Sequence, residues 1–396
     1  MTSVASESPA RGTRPRNRRA ITIEAATELF WKRGYAGVSM SDIAEATNVG
    51  ASALYRHFPG KAELLMAAVQ TGLAGYGAVL DEIDAGEREG RLPFLLRRLA
   101  ETSLEHRALG VLWQREARNL EEPQQRLLRD ELTRHTHRVC AALLDDRPEL
   151  DAATADLIAW CTMGILVSPG FHSATLPTPD FVAVLVDMVS TIASMPIPTD
   201  ERADAATAAA PPADSRRDRI ISVATELFAE RGFAATGIDE IGEAVGIAGP
   251  SVYSHFENKA AILVAAIDRA HALLRIDRDE ILSTTRPPDQ KLARLVDSYV
   301  QIANSDRAVI RILLSELMNL PEEDRETARR LQRDHIDSWV DLLRDVTDID
   351  ATTARIRVQA VLLVVNDAVQ TPHLRERSGF EPILAQMSKR LLGIAA

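Results

Sequence analysis

Two stretches of this chain carry one pattern, and a constant offset of 198 residues relates them. Residues 41–61 read SDIAEATNVGASALYRHFPGK, and residues 239–259 read DEIGEAVGIAGPSVYSHFENK. The offset carries Gly34 to Gly232, Ile43 to Ile241, Tyr55 to Tyr253, His57 to His255, Phe58 to Phe256 and Lys61 to Lys259. Over residues 23–69 roughly 20 of 47 positions are identical without a gap, which marks an internal repeat. A further match, EARNL at 116–120 against ELMNL at 316–320, falls at an offset of 200. The duplication therefore covers a whole unit of about 200 residues with a two-residue length change inside it.

Each copy of the short stretch reads as a helix-turn-helix. Ile43, Ala44 and Ala46 give a first short helix an apolar face, and Ser41 offers an N-cap, without a capping box because Ala44 stands three residues on. Asn48-Val49-Gly50 is a tight turn, since Asn and Gly tolerate φ > 0. A second helix over 51–58 turns Leu54 and Phe58 inward. Small Ala51, Ser52 and Ala53 stand at its leading end, with Tyr55, Arg56 and His57 beyond. A helix entering the major groove needs small leading residues for close approach, and hydroxyl and cationic groups for phosphates and base edges. The bland alternative is an ordinary surface helical hairpin.

The repeat also resembles a known family. A-x-x-L-F-x-x-x-G-[YF] (26–35 and 224–233), then I-x-x-A, then Y-x-H-F-x-x-K-x-x-L (55–64, and 253–262 with Ile262 for Leu) resemble the DNA-binding domain of TetR/AcrR-type transcriptional repressors. The motif covers about 60 residues of each copy. The resemblance implies double-stranded operator DNA as partner, with Tyr55, His57 and Lys61 on phosphates and Arg18, Arg19, Ser39, Ala51, Ser52, Ala53 and Arg56 completing the surface. In the second copy it points to Gly249, Pro250, Ser251, Tyr253, Ser254, His255 and Lys259. There Ser254 replaces Arg56 and Glu257 replaces Pro59, which weakens the case for tight binding by the second head.

Charge divides the heads further. The chain carries a net charge of −11, so any basic footprint is local. Residues 11–69 hold nine Lys/Arg against five Asp/Glu, whereas residues 214–267 hold five against eight. Part of this lies in a basic arm expected over 1–15, ahead of the first head, where arginines suit phosphates or the minor groove.

Along the chain we expect a first head over 16–76, a helical regulatory domain over 77–195, an Ala/Pro-rich linker over 196–213, a second head over 214–274 and a second regulatory domain over 275–396. The first helix spans 18–33 and stops at Gly34, Lys61 starts a long fourth helix, and Pro250 suits a first helical turn. The fold class is all-α: two tandem units, each a helix-turn-helix domain plus a helical ligand and dimerisation domain.

Enzymatic signatures are missing: no P-loop, no G-x-G-x-x-G after a strand, no G-x-S-x-G. His106, His135, His137 and His172 lack metal-ligand spacing, and no cofactor or metal is expected. Cys140 and Cys161 read as buried reduced thiols of a cytoplasmic protein, nucleoid-associated when bound to DNA. No apolar run of spanning length is evident, so membrane insertion is not expected. Trp113, Trp160, Met163 and Phe171, and Tyr299, Leu314, Met318 and Trp339, are large apolar residues on helices; each is plain core unless the regulatory domains hold the ligand pocket that the resemblance implies. Glu116 and Glu316, at equivalent places in apolar surroundings, are either polar pocket groups or a buried helix-to-helix hydrogen bond.

The resemblance implies a ligand-responsive repressor with an apolar or amphipathic small-molecule effector. Ordinary members dimerise through their last two helices, here about 153–167 with 180–193, and 351–369 with 382–392. The duplication suggests that these pair within one chain as a pseudo-dimer. The rival is a sensing or interaction module that forms homodimers between chains, its second head off DNA.

Overall fold

Four residues in the left-handed backbone region punctuate the two copies of the repeat: Gly34 and Asn48 in the first, Gly232 and Gly246 at the matching places in the second. The computed structural model describes residues 18–84, 90–196 and 215–394, and all regular structure among them is helical. The arm expected over 1–15, and all but Pro196 of the expected linker, lie outside these residues.

The first copy runs α1 (Arg18–Arg33), α2 (Met40–Ala46), α3 (Ala51–His57), α4 (Lys61–Asp84) and α5 (Arg91–Glu105). Next come the short α6 (Leu109–Val111), a π-helical turn Leu112–Glu116, and α7 (Glu122–Asp146). The copy closes with α8 (Ala152–Val167) and α9 (Thr178–Ala193). The second copy begins α10 (Arg216–Arg231), α11 (Ile238–Val245), α12 (Gly249–Val252) and α13 (Lys259–Ser283). It continues α14 (Pro288–Ser305), α15 (Arg307–Ser315), α16 (Glu322–Val346), α17 (Ala351–Gln370), α18 (Pro372–Arg375) and α19 (Phe380–Leu391). Helices α7 and α16 begin and end 200 residues apart, whereas α8 and α17 begin 199 apart, on the matching caps Asp151 and Asp350.

Two expectations about helix ends change. Helix α2 starts ahead of Ser41: Ser39 is its N-cap, and a capping box does form, with Ser39 Oγ accepting from the Asp42 N–H and Asp42 accepting from the Ser39 N–H. Aspartate three residues on does the work expected of Glu or Gln, and such a cap is worth about 1 kcal/mol. The second reading helix is also shorter than its counterpart, one turn in α12 against two in α3. Pro250 sits in its first turn as expected, but the chain leaves the helix at Tyr253, where Ser254 Oγ donates to the Ser251 carbonyl at 2.7 Å.

The chain divides into two compact units, residues 1–149 with 166–173, and residues 150–165 with 174–396. In the first, α1 packs on α4, and α4 packs on α5 and α7. In the second, α10 packs on α13 and α15, and α14 lies against α16, α17 and α19. This division departs from the boundary expected at 195, because most of α8 and all of α9 belong with the second copy. Helix α8 carries a single charged residue, Asp156, and is apolar on every side, so it must be covered all round. In this unit α9 lies against α17 and α19. Helices α4 and Ala152–Phe171 are long and apolar enough to cross a membrane, a point the sequence reading missed; 61% and 72% of those stretches are buried inside the protein.

Candidate nucleic-acid interface and the groups behind it

The reading helix of the first head is built from the inside out. Leu54 and Phe58 are buried, and this fixes the opposite face outward. Ser52, Tyr55, Arg56 and His57 are all exposed there, Tyr55 with 52% of its surface open. Asn48 sets the angle between α2 and α3 by taking φ +52°, while Thr47 Oγ1 donates to the Ile43 carbonyl beneath it. In the second head Val252 and Phe256 are buried, and Pro250, Ser251, Tyr253 and Ser254 are exposed; His255 is half-buried. Gly249 does not belong to this outer face. It is buried, and a Cβ there would collide with Asp239, so close packing of α11 on α12 requires glycine.

Lys61 and Lys259 do something the sequence reading did not assign. Lys61 Nζ donates to the carbonyls of Tyr35 and Val38 at 2.6 and 2.8 Å and stands 4.0 Å from the Tyr35 ring centre. Lys259 repeats this on Phe233 and Thr236 at 2.7 and 2.8 Å. Two of three ammonium donors thus tie the start of the fourth helix to the loop after the first. Burial lowers both ammonium pKa values. Arg19 is likewise part-structural, stacked on the Phe58 ring at 5.3 Å, as Arg217 is on Phe256 at 4.2 Å. Ser39 caps α2, and Arg18 is half-exposed at the start of α1.

Glu116 and Glu316 are placed by the same logic in both copies, each on a backbone N–H of the loop after the first helix of its head. Glu116 Oε2 accepts the Tyr35 N–H at 2.9 Å, and Glu316 Oε2 accepts the Phe233 N–H at 3.3 Å. Glu316 is fully buried and also accepts from Asn319 Nδ2 at 2.7 Å and Ser315 Oγ at 3.0 Å. Each carboxylate therefore joins the regulatory helices to the loop that the lysine holds from the other side. The π-helical turn Leu112–Glu116 delivers Glu116, and this wide turn is a departure from plain α-helix that sequence pattern does not reveal.

The other pocket candidates separate. Phe171 lies beneath the Arg115 guanidinium at 5.1 Å, in a segment clasped to the first head by Trp31 Nε1 donating to the Gly170 carbonyl at 2.8 Å. Trp160 meets His373 edge-on at 5.6 Å, on the side where α8 faces the second copy. Met163 is buried on the same helix, Trp113 and Leu314 are half-buried, and Met318 is exposed beside Arg329. Tyr299 and Trp339 do come together, edge to face at 5.8 Å. With them the structure gathers His271, His335 and Asn366, which the sequence reading passed over. Tyr299 donates to Asn366 Oδ1 at 2.9 Å, and burial pushes its phenol up to about 12. Burial pushes His335 down to about 4, with Arg278 and His271 adding to the effect. Both nitrogens of His335 and Trp339 Nε1 are buried and make no hydrogen bond to the described residues; His271 is buried beside them, against the Ile267 carbonyl. The available signal was the recurrence of His135 as His335 in α7 and α16; His135 is buried too. No group of three or more His, Cys, Asp or Glu that could hold a metal occurs among the described residues.

Comparison with known proteins follows the repeat. Residues 23–68 and again 220–266 match the family of bacterial regulatory proteins, tetR family, and residues 285–371 match the tetracyclin repressor-like C-terminal domain. Among curated proteins the chain is similar to the HTH-type transcriptional activator FasR of Mycolicibacterium smegmatis, 30% identical over 102 residues, 26% of this chain and 47% of that protein. It is also similar to the HTH-type transcriptional repressor KstR2 of the same organism, 31% identical over 135 residues, 33% of this chain and 64% of that protein. The chain thus spans about half to under two thirds of these relatives' length. A solved TetR-family regulator from Bordetella parapertussis aligns with a TM-score of 0.42 and 21% identity over 45% of this chain and 95% of that one.

Proposed function

The chain is a TetR-family transcriptional regulator that carries the family's DNA-binding domain twice, and from that premise we propose a ligand-responsive repressor built as a single-chain pseudo-dimer. The observation that carries this reading is the pairing of helices. Helices α8 and α9 of the first copy and α17 and α19 of the second stand where the family's dimerisation helices would, and they share one compact unit. One chain then holds both heads of a dimeric repressor. Two heads reach successive major grooves about 34–36 Å apart, so one chain serves two half-sites.

In this reading the first head carries most of the affinity, through Arg56, His57, Tyr55 and Ser52. The effector lies against the second copy's Tyr299, Trp339, His335 and His271. One indole N–H and two neutral imidazoles in apolar surroundings suit an apolar body bearing oxygen acceptors. Glu316 and Glu116 would pass the effect of binding to the heads, since each touches the loop that orients its reading helix.

A second reading is favoured by the one-turn α12 and the acidic balance of the second head. There only first heads meet DNA, and two chains are needed. Footprinting with titrated stoichiometry separates them. One chain per two half-sites supports the pseudo-dimer, and two chains per operator supports the rival.

A further inference from the structure

The first-copy helices α8 and α9 meet the second copy through charges that run one way. Arg357 of α17 pairs with Asp187 of α9 and also donates to the Leu391 carbonyl at 3.0 Å. His373 lies 3.0 Å from Asp156 of α8. Arg377 donates to Thr154 Oγ1 at 2.6 Å and stands 4.0 Å from Asp151. In each pair the acid belongs to the first copy and the base to the second. Composition agrees: residues 152–193 contain three acids, Asp156, Asp180 and Asp187, and neither lysine nor arginine, whereas residues 351–391 contain six Lys/Arg and three Asp/Glu. Asp367 is the exception, an acid of α17 that faces α8 near Gly164.

A symmetric interface makes every contact twice, with the roles exchanged. None of these contacts has an exchanged copy. At the offset of 199 set by the matching caps Asp151 and Asp350, Arg357 corresponds to Ile158, Asp187 to Gln386, Asp156 to Arg355, His373 to Ala174 and Arg377 to Thr178. Two first copies brought together in the same geometry would set Asp187 opposite Ile158, with neither lysine nor arginine on either side. Two second copies would set Arg357 opposite Gln386. Pairs as exposed as these contribute little to stability one by one. Their effect is on choice of partner, because wrong pairings leave charges unmatched while the right one matches each.

We propose that the α8–α9 face is a heterotypic docking surface that accepts the α17–α19 face of a second copy and rejects another first copy. This rests on the pseudo-dimer reading, and deepens it by naming what selects the partner. The test uses the full chain with Asp187→Arg, Arg357→Asp and the two combined, together with the milder Asp187→Asn. Thermal unfolding, native mass spectrometry and residue-resolved cross-linking are read on each. We expect each single reversal to lower the unfolding midpoint by about 2 °C or more, and the combined swap to recover most of it. We expect Asp187→Asn to fall between wild type and Asp187→Arg, with a mass near 43.4 kDa throughout. Neutral single reversals at that mass would overturn the charge selection and leave the pseudo-dimer intact. A species of twice the mass with cross-links joining α9 to α9 would overturn both. A doubled species with α9 of one chain cross-linked to α17 of another would support the heterotypic surface and overturn pairing within the chain.

Discussion

Gly164 of α8 lies directly against Val364 of α17. A Cβ on Gly164 would stand 3.2 Å from Val364 Cγ2 and 3.5 Å from its Cα. We therefore expect Gly164→Val to overpack this point and cost about 1–3 kcal/mol, with Val364→Ala in the same chain restoring part of the loss. Calorimetry of the three proteins checks it; an unchanged midpoint in Gly164→Val would mean that α8 and α17 are not held this closely.

Arg56→Ala should weaken operator binding and lower the salt slope by about one unit, without changing thermal stability, because Arg56 is exposed on α3. Lys61→Ala should do both, since its ammonium holds two carbonyls of the head. Ser254→Arg should raise affinity by supplying the cation that the second head lacks. Gel shifts across a salt series, with melting curves, separate the cases. Equal losses from Arg56→Ala and Ser254→Ala would contradict the ranking of the heads.

Glu316→Ala leaves the Phe233 N–H without its acceptor in a buried place. We expect about 1–3 kcal/mol of destabilisation, with faster amide exchange at Phe233 and a weaker response of DNA binding to effector. Glu116→Ala should act likewise at Tyr35. Protection of both amides as in the wild type would show that these carboxylates do not hold the heads.

The buried His335 gives stability a pH dependence with a definite sign. Its pKa falls from the ordinary 6.5 to about 4 on folding, so between those values the unfolded chain binds the extra proton. Its contribution is complete above pH 6.5 and is lost as pH falls from there through 4, by up to about 3 kcal/mol. Denaturation of His335→Gln across that range should show a shallower fall than wild type. Parallel curves would place His335 in water, and the effector reading would lose its anchor.

How far the chain could be read in advance depended on where the pattern was local. The heads were legible because Leu54 with Phe58, and Ile43 with Ala44, alternate with the helix period, and because a second copy repeated them. The left-handed turn at residue 48 was legible from Asn and Gly chemistry. What failed was non-local, apart from the start of α2. The start of α2 was misplaced because Asp42 serves in the capping box. The roles of Lys61 and Glu116 depend on carbonyls and amides 23 to 81 positions away in the chain. The placements of Trp160 and Phe171 were hidden because size and hydrophobicity do not say which surface a helix turns to which neighbour. His335 was overlooked because a histidine on an amphipathic helix carries no mark of burial.

The one-way charges between α9 and α17 bear on how such a regulator diversifies. Identical subunits inherit every substitution in duplicate, so they can specialise only symmetrically. Unlike subunits encoded apart sort into a mixture, and only part of it is the mixed species. A chain that carries both copies fixes their ratio at synthesis and lets each accept changes alone. Acid could then accumulate on one side and base on the other, while one reading helix kept its arginine and its counterpart gave it up. Under the pseudo-dimer reading, such a protein would suit operators whose two half-sites differ, which a pair of identical subunits reads poorly.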